Sequence, residues 1–418
     1  MFGCSEHWIG RRFSHALTAF LADERRRREV RASDGVDADV LEERYESWRI
    51  SRAGALKAGG AAALVALADA ALPDAAAAQP APSGDPPWNS TTAPVRVGRV
   101  HEVPSTAQTV VLGQFDPSRA PIVTVESGDV LMYPNTWTHF LNKLQPGVSA
   151  DELAEMRRSN PGKGPHSIIG PVAVRGAMPG DVVQLRMLRL EPIGFGANFH
   201  NPASLHTGAL PDEFPNGHVH YFTLDPARGF VDFNDRIRLE MRPFQGTLGL
   251  APAGNAPVSS VPPGRHAGNL DIRELVAGSS LFVPVIHPGA LIFTGDSHAL
   301  QGDGEVNLTA LETGMRELRM QVILHKNAGW EWPFVETSTH WIAIGTDPSL
   351  NEALRIALRN TIDFLNKKAG LSRDDAYGLA SLATDFRVSQ MVDANNGVHA
   401  MIPKSIFAED YRKTIALV

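Results

Sequence analysis

The stretch GDSHALQGDGE, Gly295–Glu305, packs Asp296, His298, Asp303 and Glu305 among three glycines. A second one, RHAGNLDIRE, carries His266, Asn269, Asp271, Arg273 and Glu274. Imidazole and carboxylate groups at this density are the donor set of a divalent cation. Imidazole suits Zn²⁺, and carboxylates suit Zn²⁺ or the harder Ca²⁺ and Mg²⁺. The bland alternative for the first stretch is a tight hairpin whose Asp side chains bond backbone amides. For the second it is a loop with a surface ion pair from Arg273. The two stretches flank one apolar segment, SSLFVPVIHPGALIFTG, so a turn within it would let them meet and share an ion.

A third group lies in WEWPFVETSTHWIAIG, where Glu336 and His340 stand beside Trp332 and Trp341. Aromatic walls with convergent polar groups suit a small ligand. A lone histidine in such a run is also a common hydrogen-bonded core residue. His139 in NTWTHFLN and His166 in GPHSIIGP are read that way. The loop DANNGVHAMIPK, with His399 and Lys404, is read as structural. GDSHA imitates a nucleophile elbow at Ser297, but an elbow needs a helix directly after its serine. LQGDGE, with two glycines, cannot start one.

The elements that must position these groups are mostly strands. APIVTVESGDVLMY, GPVAVRGAMPGDVVQLRMLRLEPIG and SSLFVPVIHPGALIFTGD each read as two strands around a Gly-containing turn, at Gly128, Gly180 and Gly289. GEVNLTALETGMRELRMQVILHK alternates again, with Val306, Leu308 and Ala310 on one face. These hairpins predict sandwich or barrel layers, a mainly β fold. From Ser349 the period changes. Leu350, Leu354, Ala357, Leu358, Thr361 and Leu365 share a helical face, Ser349 with Glu352 forms a capping box, and Ser372 starts a shorter helix. A helical insertion over about 349–384 is expected in a smaller C-terminal α/β part.

The 418 residues hold 37 Gly and 30 Pro, a net charge of −7 and one cysteine, Cys4. The charge offers no basic face for nucleic acid. A single cysteine forbids an internal disulfide, and its position excludes a thiol nucleophile in the main domain. Residues 1–50 read as a charged, disordered arm with Arg25–Arg28 as its densest run. Residues 51–78 read as an export signal: Arg52 and Lys57, an apolar stretch at Ala58–Ala68, then small residues with cleavage near Ala78–Gln79. The pattern is twin-arginine-like, with Ala53 and Ala55 departing from it. The apolar stretch is too short for a stable membrane span. A periplasmic or secreted product is expected, or a cytoplasmic one if the signal does not act. An alanine-rich linker is the alternative reading.

In GPVAVRGAMPGDVV, HAGNLDIRELVAGSSLFVPVIHPGALIFTGDSHALQGDGEVNLTALET, ETSTHWIAIG and DFRVSQMVDANNGVHAMIPK, the chain resembles the acetamidase/formamidase family over about residues 120–408. The resemblance implies a β-rich fold with a small α/β part, often dimeric, that hydrolyses short amides to acid and ammonia. It also implies a divalent metal, zinc or else calcium. The motif positions so marked are His266, Asn269 and Asp271; Asp296, His298, Gln301, Asp303 and Glu305; and Glu312, Glu336 and His340. On this basis His266, Asp271, Asp296, His298 and Glu312 are expected to hold metal. Glu305, Asp303 and His340 are expected to move protons. Asn269, Gln301, Glu336, Trp332 and Trp341 are expected to line the substrate. The alternatives are an exported non-catalytic β-sandwich binding protein, or a hydrolase of a larger amide, carbamate or ester.

Overall fold

A computed structural model describes residues 97–418. The arm and the export signal expected before residue 79 lie outside the described residues. Two nine-stranded sheets dominate. The first runs, in spatial order, Val100–Glu102, Val130–Pro134, Met315–His325, Val182–Pro192, Ser280–Pro284, Phe334–Glu336, His340–Asp347, Asn396–Pro403, Asp385–Gln390. The second is centred on Ile292–His298, which pairs with Phe244–Leu250, Glu312–Thr313 and Ser167–Val174.

The main core lies between the sheets. Leu185, Leu281, Val283 and Val322 from the first meet Val172, Leu248, Leu250 and Ile292 from the second. The opposite face of the first sheet carries Phe282, Phe334 and Trp341, covered by Phe364 and Leu365 of the helix Leu350–Lys367 and Ala376 of the helix Arg373–Ala383. Ser280–Pro284 is therefore buried on both faces, which is why its sequence is apolar without alternation. In the longer helix Ser349 accepts a bond from the Glu352 amide, and the buried face is Ala353, Ala357, Thr361, Phe364 and Leu365. Leu354, expected on that face, is exposed.

The three expected hairpins are corrected by the strand pairing. Thr124–Val125 and Ser167–Val174 belong to the second sheet, whereas Val130–Pro134, Val182–Pro192 and Ser280–Pro284 belong to the first. Each turn at Gly128, Gly180 and Gly289 is thus a corner where the chain changes sheet. All three glycines have positive φ, so the turn chemistry is as expected and the partners are not. The segment before Glu312 is a loop rather than an alternating strand: Val306 is exposed and Leu308 has φ 107°. No helix among the described residues is long and apolar enough to cross a membrane.

Candidate metal centre and cavity

The second sheet lays out the site. Asp296 and His298 end the strand Ile292–His298. Glu312 sits directly across from His298 on one neighbouring strand. On the other side the register skips Gly246, opposite Asp296. A β-carbon on Gly246 would lie 2.4 Å from His298 Cε1 and 2.6 Å from Asp271 Oδ1 and Asp296 Oδ2. Only glycine lets these three side chains converge there.

His139 enters from a left-handed turn, with positive φ at Phe140, Leu141 and Asn142. Its Nε2 lies 2.8 Å from Asp296 Oδ1 and 3.2 Å from Glu312 Oε2. His298 Nε2 lies 3.1 Å from the same Asp296 oxygen and 3.2 Å from the same Glu312 oxygen. Two nitrogens and two oxygens therefore face one another along four edges. Tetrahedral coordination with bonds near 2.0–2.1 Å gives edges of about 3.3 Å. The Glu312 oxygen makes no hydrogen bond despite these approaches.

More donors surround this cradle. His166, Asp271 and Glu305 each complete a further three-residue group with its members, and Asp393 groups with Asp271 and Glu305. All are buried. Among the described residues, both oxygens of Asp271, and Nδ1 of His139 and of His298, lack hydrogen-bond partners; the Asp393 carboxyl that abuts Asp271 is another acid. Buried unpaired polar atoms are costly and rare. Their convergence is what a cation would satisfy, so the residues present fit a divalent metal. Asp271, Asp296 and Glu305 each hold positive φ, at 51°, 57° and 46°, a conformation that non-glycine residues seldom keep outside functional sites.

The electrostatics agree. Burial, then the charge of Asp296, pushes the Asp271 carboxyl up to about 7. Burial, then Asp271 and Asp393, holds Glu305 well above the carboxylate range, and Asp393 is raised by burial and Asp271 in the same way. Burial opposes charge on His139 and His298, but Glu312 and Asp296 outweigh it and raise both. Burial also opposes charge on Asp296, yet the charge of His298 and the bonds from His139 and His298 hold it well below the usual range. Burial drives His166 down to about 3, so it is a neutral donor. A cation here would replace the protons that these groups otherwise share.

Supporting contacts orient the set. The Thr247 hydroxyl shares its proton between Asp296 Oδ2, at 3.1 Å, and Asn269 Oδ1. The Ala310 amide donates to Glu312 Oε1 at 2.9 Å. Gln301 Nε2 ties the carbonyls of Asp271 and Ser389 together, each at 3.2 Å. Above the cradle lies a cavity of about 60 Å³, lined by His139, Arg157, Asn269, Glu305, Thr309 and Asp393 among others. That is room for a few waters or one small ligand.

The structure thus gathers Asp271, Asp296, His298, Glu305 and Glu312, with Asn269 on the cavity wall and Gln301 behind Asp271. It does not gather the rest. His266 packs edge-on to Phe115 between glycines, and burial lowers it to about 4; among the described residues it joins none of the metal-binding groups. Asp303 turns outward to Arg273, 3.1 Å away. Glu336 pairs with Lys404 at 2.8 Å and accepts the Trp341 indole N–H, while Trp341 packs under Phe364 and Phe407. His340 bonds Thr339, and Trp332 lines a separate groove along the helix Leu350–Lys367. The aromatic group serves the helix layer, not this cavity. His139, His166, Asp393 and Gly246 are the members that local pattern does not reveal. Each is far in sequence from the central block, and none stands in a ligand-rich stretch of its own.

A family model described as the Acetamidase/Formamidase family matches residues 253–409. An acetamidase of Mycolicibacterium smegmatis is 28% identical, covering 51% of this chain and 71% of that protein. A formamidase of Methylophilus methylotrophus is 31% identical, over 37% of this chain and 43% of its own. The fold matches that of a recombinant predicted acetamidase/formamidase from Thermoanaerobacter tengcongensis, with TM-score 0.66 and 27% identity over 75% of this chain and 98% of that one. An acetamidase from Bacillus halodurans matches with TM-score 0.66 and 26% identity, over 73% and 98%. The chain is thus similar to the acetamidase/formamidase family over residues 253–409 and shares the fold of these solved relatives.

Proposed function

We propose that this protein cleaves the C–N bond of short linear amides to give a carboxylate and ammonia, with zinc held by His139, His298, Asp296 and Glu312, and Asp271 alongside. The observation that carries this reading is the cradle of two imidazole nitrogens and two carboxylate oxygens facing a cavity of about 60 Å³. A bound divalent cation polarises a carbonyl oxygen and makes a water molecule more acidic.

The chain's own residues do the rest. Glu305 lines the cavity, and burial with its acidic neighbours makes its carboxylate basic. It takes a proton from the attacking water as the new C–O bond forms, then passes it to the nitrogen that leaves when the C–N bond breaks. Oxygen and both hydrogens of the water are thereby accounted for in acid and ammonia. Asn269 has its Oδ1 engaged by Thr247, which leaves its amide N–H groups for the substrate. The small volume favours short-chain amides, formamide, acetamide and propionamide among them, over long or bulky ones.

Ammonia release from these three amides tests the reading directly. Full-length protein should turn over at least one of them, stop after chelation and recover on zinc addition. Turnover that survives thorough metal removal would place the chemistry elsewhere.

A further inference from the structure

The scheme above gives no role to the one arginine that lines the cavity. Arg157 reaches the cavity from the helix Ala150–Arg158. One of its nitrogens donates to the Lys163 carbonyl, which fixes the side chain against the loop that follows the helix. Among the described residues it forms no ion pair with any carboxylate, although four acids line the same cavity. The acid whose field it feels is Asp393, which lines the same cavity. Burial works against its charge. A half-buried guanidinium that lines a small cavity and gives one nitrogen to a carbonyl suits a planar bidentate anion.

We infer that Arg157 anchors a carboxylate at the far end of the substrate, so that the substrates this site prefers are half-amides of small dicarboxylic acids. This inference rests on the amide-hydrolase reading. The amide end sits over the His139–Asp296–His298–Glu312 cradle, and the carboxylate end meets the guanidinium across the cavity. Lysine would keep the charge and lose the fork.

The test compares succinamate with butyramide, which has a methyl group in place of the carboxylate. The wild-type protein should favour succinamate by at least tenfold in kcat/KM. Arg157→Met should bring the ratio close to one, and Arg157→Lys should leave it between the two. A wild-type preference for butyramide, or a ratio unchanged in both variants, overturns the inference. If neither amide is cleaved, the hydrolase reading fails separately and succinate binding by calorimetry still decides. Binding to the zinc-loaded wild type that is lost in Arg157→Met supports the anchor, and no binding to either protein refutes it.

Discussion

Glu312 Oε2 stands 3.2 Å from both His298 Nε2 and His139 Nε2. The first approach follows from strand register, since Glu312 and His298 are opposite neighbours. The second comes from a turn well over a hundred residues earlier. A carboxylate oxygen placed between two imidazoles without a hydrogen bond to either is arranged for an ion. His139→Ala should therefore lower bound zinc and cut amide turnover by orders of magnitude, while circular dichroism stays native. Metal analysis and ammonia release check this. Full zinc content in the variant would remove His139 from the ligand set.

Gly246 offers a sharper geometric test. An added methyl group would meet His298, Asp271 and Asp296 at 2.4–2.6 Å. Gly246→Ala should cost about 1–3 kcal/mol from overpacking and abolish metal binding. Gly302, which nothing approaches within 4 Å, is the control, and Gly302→Ala should retain both. Urea unfolding with metal analysis distinguishes the two sites.

Metal removal should destabilise the fold. Asp271, Asp296, Glu305, Glu312 and Asp393 are buried together, and three of them are raised by burial and by one another. An ion that binds only the folded state stabilises it by about 2.7 kcal/mol at a hundredfold excess over Kd. Thermal unfolding should show a higher Tm with zinc, rising with its concentration. A Tm indifferent to zinc would contradict the cradle.

The sequence made Asp271, Asp296, His298, Glu305 and Glu312 visible because they sit in one ligand-rich block. The β-rich class was legible too, from alternation and turn glycines. Strand partners were not. A chain that turns at Gly128, Gly180 or Gly289 can pair with itself or change sheet, and both give the same local pattern. His139 and Asp393 reach the site only through tertiary contacts, so nothing near them in sequence distinguishes them from core or loop residues. Trp341 shows the converse: an aromatic residue beside polar neighbours, it has its indole on Glu336 and its ring under the helices.

Acid stability should carry the mark of Glu274. Burial alone would raise its carboxyl, but the His399 imidazole, 3.4 Å away, and the charges of Arg273 and Arg387 hold it at about 2. An unfolded glutamate titrates near about 4.3. The depressed folded value means a contribution present above about 4.3 and lost as pH falls towards 2. In metal-free protein, the stability advantage of the wild type over Glu274→Gln should shrink across that window. Urea unfolding at a series of pH values measures it, and a constant difference would refute the assignment.

A zinc titration of metal-free protein, with ammonia release from acetamide or formamide followed at each addition, bears most directly on the metal site. Activity should rise from baseline and saturate with zinc bound at the cradle in the wild type, with no recovery in Asp296→Asn. Activity in metal-free protein, or full recovery in Asp296→Asn, would contradict that assignment.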